Sequence, residues 1–163
     1  MADHSVFVLP VRDLVGKPGA MRALELTVPA ADRYGEAVAT VAEGTDITIE
    51  GRLESVHDGI LATGDIHTVA TAECVRCLEP LEVPIDADFQ ELFAYLDQDG
   101  YDNAVVDELI DLGPIVRDQV VLALPFQPMC SPDCPGLDPE TGEKRPAGWQ
   151  ETTEERIDPR WEA

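Results

Sequence analysis

The chain has 163 residues, with 33 Asp plus Glu against 11 Lys plus Arg, so its formal net charge is −22. This length fits one ordinary domain, and 44% apolar residues supports a hydrophobic core and excludes a wholly disordered chain. Each Lys or Arg that neutralises a phosphate gains affinity through counterion release, so the charge argues against autonomous, high-affinity nucleic-acid binding. The electrostatic field of this negative charge favours a basic protein as partner.

No segment of the sequence is suited to enter or cross a membrane. The N-terminus lacks the basic start of a signal peptide, and its apolar run, residues 6–11, is short and contains a proline. The longest uncharged stretch, residues 119–132, is shorter than the roughly 20 residues that span a bilayer. We therefore expect a cytoplasmic protein without membrane contact, whose cysteines are kept reduced.

The first strand with a clear signal begins about a quarter of the way along the chain. Residues 1–44 predict an irregular start with one short strand candidate at 23–28. Residues 45–57 then alternate between apolar and polar side chains, which is the period of a half-buried strand. The side chains expected on its buried face are Ile47, Ile49 and Leu53.

Two further strands follow and predict an antiparallel sheet. Asp58 and Gly59 predict a type I′ turn, in which both residues have positive φ, and a β-rich run at 60–73 completes a long hairpin. Alternation resumes at 81–90, where Pro84 favours an edge strand because proline cannot donate to a ladder. The residues predicted to face inward are Leu81, Val83, Ile85, Ala87 and Phe89.

A helix is predicted late in the chain. Asp111 is the expected cap of a helix over 115–124, with Pro114 in its first turn and Pro125 after its end. The predicted fold is therefore α+β, with a predominantly antiparallel sheet made of the long hairpin and a third strand. The C-terminal helix is expected to pack on one face of that sheet.

The last part of the sequence differs from the rest. Residues 1–137 predict a single domain that includes all the cysteines, whereas 138–163 are polar and lack periodicity. We expect this second segment to be a flexible acidic tail. Trp149 and Trp161 lie in it, and they are either docking anchors or incidental.

Negative charge is concentrated in the segment that contains the third strand. No Lys or Arg lies between Arg76 and Arg117. This acidic segment is either a solvated face that keeps the protein soluble or a surface for a basic partner. Its eleven acids are Glu79, Glu82, Asp86, Asp88, Glu91, Asp97, Asp99, Asp102, Asp107, Glu108 and Asp111. The candidate partner-binding residues, on or near the predicted outer face of the third strand, are Glu82, Asp86, Asp88 and Glu91.

Four cysteines form two close pairs, Cys74 with Cys77 and Cys130 with Cys134. Pairs with such spacing are typical of tetrahedral zinc, and four thiolates would fill its coordination sphere and make the site structural. The spacing alone does not bring the two pairs together, so a metal-free site is an alternative. Thiol redox chemistry at the first pair is a third interpretation, although reactive C-x-x-C motifs begin a helix and strands flank this one.

Several motifs together resemble the YceD-like family of bacterial and plastid proteins, described as large ribosomal RNA subunit accumulation proteins. They are Glu73-Cys-Val-Arg-Cys-Leu-Glu79, Phe89-x-Glu91-x-Phe93, Ile110-Asp-Leu112, Leu122-Ala-Leu-Pro-Phe-Gln-Pro128, Cys130-Ser-Pro-Asp-Cys-Pro-Gly-Leu137 and the terminal Ile157-Asp-Pro-Arg-Trp161. The resemblance implies a cytoplasmic, non-enzymatic factor that supports synthesis, processing or stability of large-subunit ribosomal RNA. Many relatives carry two further cysteines where this chain has Asp138 and Thr141. The ligand set of a metal bound to Cys130 and Cys134 would then be completed by an oxygen of Asp133 or Asp138, or by Cys74 and Cys77.

Three functions follow from these observations. The first is an acidic adaptor in ribosome biogenesis that holds a basic ribosomal or RNA-processing protein and acts on RNA indirectly. The second is a direct RNA-binding module, which would need cations that cluster in space although they are spread along the sequence. The third is a thiol oxidoreductase. We expect no enzymatic activity, because the sequence has no nucleophile paired with a base, no phosphate-binding glycine loop and no HExxH motif.

Overall fold

The computed structural model describes residues 4–36, 38–95, 102–150 and 160. Its main sheet contains β2 (Met21–Pro29), β3 (Ala39–Thr40), β4 (Asp46–Ser55), β5 (Gly59–Glu73) and β6 (Pro80–Ala94). A two-stranded sheet pairs β1 (Val8–Pro10) with β7 (Leu109–Asp111), a 3-10 helix covers His4–Phe7, and α1 covers Gly113–Ala123. The predicted fold class, a mostly antiparallel sheet with one C-terminal helix, is confirmed.

Strand β5 is the centre of the main sheet. It pairs with β6 along its whole length, while β4 and the short β3 pair with its other edge and β2 pairs with β4. All these pairings are antiparallel. Pro84 lies in β6 opposite Val69, so the proline is in an edge strand, as its missing N–H predicts.

One face of the sheet, which we call the inner face, carries the hydrophobic core. The central strand contributes Ile60, Ala62, Ile66 and Ala70, all fully buried. Helix α1 packs against β6 and adds Ile115, Val116 and Val120 to the same cluster. Removing apolar side chains from water stabilises the fold by about 25 cal/mol for each Å² buried, so this layer is the main source of stability.

The turn between β4 and β5 differs from the predicted type I′ turn. The Val56 N–H donates to the Gly59 carbonyl at 2.9 Å, but neither Asp58 nor Gly59 has a positive φ. A Cβ at position 59 would lie 2.1 Å from the carbonyl oxygen of Phe93. Glycine is required there because β6 approaches closely, and the left-handed conformation plays no part.

A turn with two positive φ angles occurs elsewhere, at Asp107 (φ 50) and Glu108 (φ 62). The flanking Val106 and Leu109 exchange two backbone hydrogen bonds, of 3.0 and 2.9 Å. This is the pattern expected of a type I′ turn, here formed by two residues that carry a Cβ. The turn leads into β7 and so positions the start of α1.

Helix α1 begins two residues earlier than predicted, at Gly113, and Leu112 occupies the N-cap position. Asp111 still satisfies the helix terminus, because its carboxylate accepts the Gly113 N–H at 2.8 Å. No helix within the described ranges is long and apolar enough to span a bilayer.

The structure describes residues 138–150 of the segment expected to be flexible, whereas 151–159 and Trp161 lie outside the described residues. The domain limits and the flexibility of the tail stay predictions.

Candidate functional site

The first cysteine pair lies in the turn that joins β5 to β6. Cys74 follows the last residue of β5 and donates its N–H to the carbonyl of Glu79 at 2.9 Å, which closes the turn. The Leu78 N–H donates to the Cys74 carbonyl at 2.8 Å, and Leu78 has a left-handed φ of 60. The hairpin register therefore fixes both Cys74 and Cys77 at one end of the sheet.

The second pair reaches the same end of the sheet from α1. The Val75 N–H donates to the carbonyl of Pro128 at 3.0 Å and ties the incoming chain to the first turn. Arg76 then donates from Nη1 to the carbonyl of Cys134 at 3.0 Å. Close by, Gly136 has a φ of +77, and a Cβ there would lie 3.3 Å from the carbonyl oxygen of Arg76. These contacts bring the two pairs together.

The four sulfurs form one compact group, which we call the cysteine knuckle. All four Sγ atoms lie within 4.8 Å of one another, with Cys74 to Cys134 at 3.8 Å and Cys77 to Cys130 at 3.7 Å. A tetrahedron with Zn–S of about 2.3 Å has S–S edges of about 3.8 Å. The knuckle is therefore compatible with a zinc ion, and the structure brings together two pairs whose meeting the sequence spacing left open.

The alternative oxygen ligands do not join this group. Asp138 accepts the N–H groups of Glu140 and Thr141 at 2.8 and 3.2 Å, so its carboxylate closes a turn of its own. Among the residues that the structure describes, the cluster able to hold a metal consists of the four cysteines, without Asp133 or Asp138. Cys74 and Cys77 thus complete a group of four thiols with Cys130 and Cys134, in place of a further cysteine pair at positions 138 and 141.

The thiols of the knuckle influence one another's charge. The backbone N–H of Cys130, with that of Cys77, lowers the pKa of Cys74 to about 6. The N–H of Glu79 acts to lower the pKa of Cys77, but burial and the neighbouring thiols outweigh it and raise this pKa to about 12. The Cys134 thiol likewise raises the pKa of Cys130. Deprotonation of all four thiols would need a cation between them, which a bound metal would supply.

The other face of the main sheet, which we call the outer face, carries acidic residues in register. Glu25 pairs with Glu50, Glu50 with Asp65, and Asp65 with Asp88, so four acids from four strands form one row across the sheet. We call this set the acidic row. All four side chains are exposed, and none has an ion pair in the described part of the chain. Neighbouring strands lie about 4.8 Å apart, so like charges face one another directly.

The candidate partner-binding residues of β6 lie on two faces. Glu82, Asp86 and Asp88 are exposed on the outer face, where sequence alternation predicted them. Glu91 was predicted on or near the same face, and that is wrong. It lies opposite the buried Ala62 on the inner face and is half-buried, because an odd spacing from Asp88 turns it to the other side of the strand.

One outer-face acid has a partner. The Asp86 carboxylate lies 2.6 Å from Nδ1 of His67, its direct cross-strand neighbour. This hydrogen bond raises the pKa of His67, and the charges of Glu50 and Asp65 act in the same direction. Among the outward-facing residues of the main sheet, all of them described, Arg52 is the one Lys or Arg.

The fold and the site define a class: a small antiparallel sheet with a cysteine knuckle at one end and an acidic outer face. The family model described as "Large ribosomal RNA subunit accumulation protein YceD" matches residues 62–163, which contain all four cysteines. The chain belongs to the YceD family, as the resemblance of its motifs predicted.

The relatives found among curated proteins are mycobacterial and uncharacterized. A protein of Mycobacterium tuberculosis and one of Mycobacterium bovis are each 38% identical over 164 residues, which is 96% of this chain and 79% of the relative. One of Mycobacterium leprae is 36% identical over 146 residues, 85% of this chain and 67% of the relative. No solved structure matches the chain.

The acidic row was not visible in the sequence. The acid-rich segment predicted a binding surface on β6 alone, but three of the four residues lie on other strands, at Glu25, Glu50 and Asp65. Each of these strands alternates, so each predicts an outward acid. The strand register alone shows that those acids are opposite one another.

Proposed function

We propose that the protein is a non-enzymatic, cytoplasmic ribosome biogenesis factor that supports synthesis, processing or stability of large-subunit ribosomal RNA. It does so as an acidic adaptor whose outer face holds a basic ribosomal or RNA-processing protein. Membership of the YceD family supports the link to large-subunit ribosomal RNA. The acidic row is the observation that carries the adaptor part of the proposal.

The acidic row opposes the stability of the fold. Like charges directly opposite one another on neighbouring strands are destabilising, whereas opposite charges contribute roughly 0.2–1 kcal/mol for each pair. Solubility alone does not require such an arrangement, because charges of both signs interspersed on the surface keep a protein soluble. A basic partner would remove the repulsion on binding, so its binding energy includes the relief of this strain.

The charge of the whole chain acts in the same direction as the row. A formal net charge of −22 gives a field that attracts a cationic protein and accelerates its association. This attraction is screened over about 8 Å at physiological ionic strength, so capture should weaken steeply as salt rises. The partner class is therefore defined by its positive charge and its place in ribosome biogenesis.

We also propose that the cysteine knuckle binds one structural zinc ion through Cys74, Cys77, Cys130 and Cys134. Three of these residues are buried, and they pack with the half-buried Leu81 and Leu137 in a cluster separate from the main core. So small a cluster buries little apolar surface, and metal binding is folding free energy in such sites. The zinc would hold the chain after α1 against the end of the sheet.

Metal content tests the zinc proposal. Protein purified without a chelator should contain about one equivalent of zinc, and Cys74→Ser should lose it, because three thiolates hold a structural ion poorly. Val75→Ser, at the next residue of the same turn, is the matched control and should keep the metal. Elemental analysis that finds no metal in the wild type would contradict the site.

Affinity capture from an extract of the protein's own cell tests the adaptor. The row variant combines Glu25→Gln, Glu50→Gln, Asp65→Asn and Asp88→Asn. The matched control changes four exposed acids away from the outer face to amides and has the same net charge; these are Glu36, Glu43, Asp118 and Glu140. Captured proteins are identified by mass spectrometry at two ionic strengths.

The proposal predicts that wild type and control capture the same basic ribosomal or RNA-processing proteins, less of them at high salt. The row variant should capture several-fold less of each, because the aligned charge is lost. Equal capture by the row variant and the control would show that net charge alone acts, and the adaptor surface would then be wrong.

A further inference from the structure

An open cleft of about 640 Å³ lies beside the cysteine knuckle. Three of the eleven Lys and Arg residues of this acidic chain line it, Arg76, Lys144 and Arg145. They come from two segments far apart in sequence, which the knuckle contacts bring together. The volume lies within the range of about 300–1,000 Å³ that is typical of ligand sites.

An arginine and a tryptophan stack at the wall of this cleft. The guanidinium carbon of Arg145 lies 3.5 Å from the centre of the Trp149 ring, and Trp149 is 38% exposed. The Arg145 Nε atom is buried and has no hydrogen-bond partner within the described residues. The arrangement leaves a donor unsatisfied and part of an indole ring exposed, which are both features of a site that lacks its ligand.

Local charge limits what this cleft can bind. Lys144 is paired with Glu79, and the carboxylate of Asp133 also lines the cleft. Four thiolates with one zinc ion would add a charge of about −2. Arg76 and Arg145 therefore offset most of this local negative charge and leave a net charge of about −1 at the cleft. The two guanidinium groups can each contact one phosphate of a ligand that also has a flat ring, but too little positive charge remains for a long duplex.

We propose that this cleft binds a nucleotide of single-stranded RNA, with the base against Trp149 and the adjoining phosphates at Arg76 and Arg145. Stacking on an aromatic ring and contact of arginines with phosphate are the usual means of recognising unpaired RNA. The Ser131 hydroxyl and the Gln150 amide also line the cleft and offer hydrogen bonds to a 2′-hydroxyl. The choice of RNA over DNA rests in part on the proposed function.

Together with the outer face, this site would give the protein two binding surfaces of different chemistry. The acidic row would hold a basic protein, and the knuckle cleft would contact RNA near that protein. Affinity for RNA alone should be modest, because at most three cations contribute. For single strands each neutralised phosphate adds about −0.7 to the slope of log K against log salt, so phosphates at Arg76 and Arg145 predict a slope of about −1.4.

Binding of a labelled oligoadenylate of about eight nucleotides tests the proposal directly. Fluorescence anisotropy measures its affinity for the full chain, and a Trp161→Phe background makes quenching report on Trp149. Wild type should bind with quenching, Trp149→Ala should bind about 5- to 150-fold more weakly, and Trp149→Phe should retain most of the affinity. Arg145→Gln should reduce the salt slope by about 0.7 to 1.

Arg117→Gln is the matched control, because Arg117 also lies over an aromatic ring, that of Tyr34 at 5.8 Å, but away from the knuckle. It should bind RNA as the wild type does. Zinc content and thermal unfolding show that each variant keeps the knuckle. Wild type that gives no anisotropy change, a folded Trp149→Ala that binds normally, or DNA of the same sequence that binds equally well would each overturn the assignment.

The two proposals fail in different ways. The row variant should bind the oligonucleotide at least as well as wild type, because it removes four negative charges from another surface. If it loses RNA binding, the RNA site lies on the sheet and the cleft assignment is wrong. If Trp149→Ala loses RNA binding while the row variant captures proteins as well as its control does, the cleft stands and the adaptor fails.

Discussion

The two faces of the main sheet use the same strand register for opposite purposes. On the inner face, Leu26, Ile49, Ile66 and Ala87 are paired in one row across β2, β4, β5 and β6. On each of these four strands, a residue next to the inner one belongs to the acidic row on the outer face: Glu25, Glu50, Asp65 and Asp88. The inner row removes apolar surface from water, whereas the outer row brings like charges together.

This difference separates stability from binding within one element. Side chains of a strand alternate between the two faces, so a single register aligns apolar residues on one side and charges on the other. The inner face can hold the outer acids at fixed positions without any direct contact with them. Removing apolar side chains from the inner face should therefore cost stability, whereas neutralising the acidic row should weaken binding without a loss of stability.

The largest expected effect comes from the inner face. Phe93 is 1% exposed and lies opposite Ile60 in the core, so Phe93→Ala should cost about 3–5 kcal/mol of unfolding free energy through the cavity it leaves. The matched control is Gln90→Ala, on the outer face of the same strand, which should change stability by less than about 0.5 kcal/mol. Urea denaturation measures both. Similar losses for the two variants would contradict the division between the faces.

A smaller and opposite effect is expected at the turn before β7. Asp107 and Glu108 have positive φ, which costs residues with a Cβ about 1–2 kcal/mol each and glycine little. Replacing the pair by Asn-Gly should stabilise the protein by about 0.5–1 kcal/mol, even though Glu108 loses its exposed ion pair with Arg12. Thermal unfolding checks this gain.

The control substitution for the turn is expected to change stability in the opposite direction. Gly44 has a φ of +82 with open space around it, so Gly44→Ala should destabilise by about 1 kcal/mol through backbone conformation alone. If the Asn-Gly variant is also less stable than wild type, the two positive angles are not a source of strain.

The smallest expected effect is a pH dependence at His67. Its hydrogen bond with Asp86 raises its pKa in the folded state, so the stability it contributes is complete below the unfolded value of about 6.5. That contribution is lost as the pH rises through the folded pKa. Asp86→Asn should therefore reduce stability at about pH 5.5 more than at about pH 8.5. The pH titration of the imidazole by NMR should also move to lower pH in the variant, and an unchanged titration would contradict the pairing.

Local patterns in the sequence were sufficient for the main sheet and the helix. Alternation predicted β4, β5 and β6, and the segment Asp111 to Pro125 predicted α1 within two residues. These signals succeed because each strand has one buried face and the helix has a proline at each end. The cysteine spacing also suggested a metal site before the geometry brought the two pairs together.

The features that the sequence did not predict depend on contacts between distant residues. Strands β1 and β7 have three residues each and pair across about a hundred positions, so neither carries a periodic signal. Asp58-Gly59 has the composition of a type I′ turn, but the close approach of Phe93 determines its glycine. The acidic row and the cleft at Trp149 likewise arise from register and packing.

Measuring the unfolding free energy of the row variant shows whether the acidic row serves binding at the expense of stability. Urea denaturation should compare wild type, the row variant and the control with four amides elsewhere. We expect the row variant to be more stable than the control by about 1 kcal/mol, because three like-charged cross-strand pairs are removed. A row variant less stable than the control would show that these acids stabilise the sheet, and the acidic row would then not be an arrangement kept for binding.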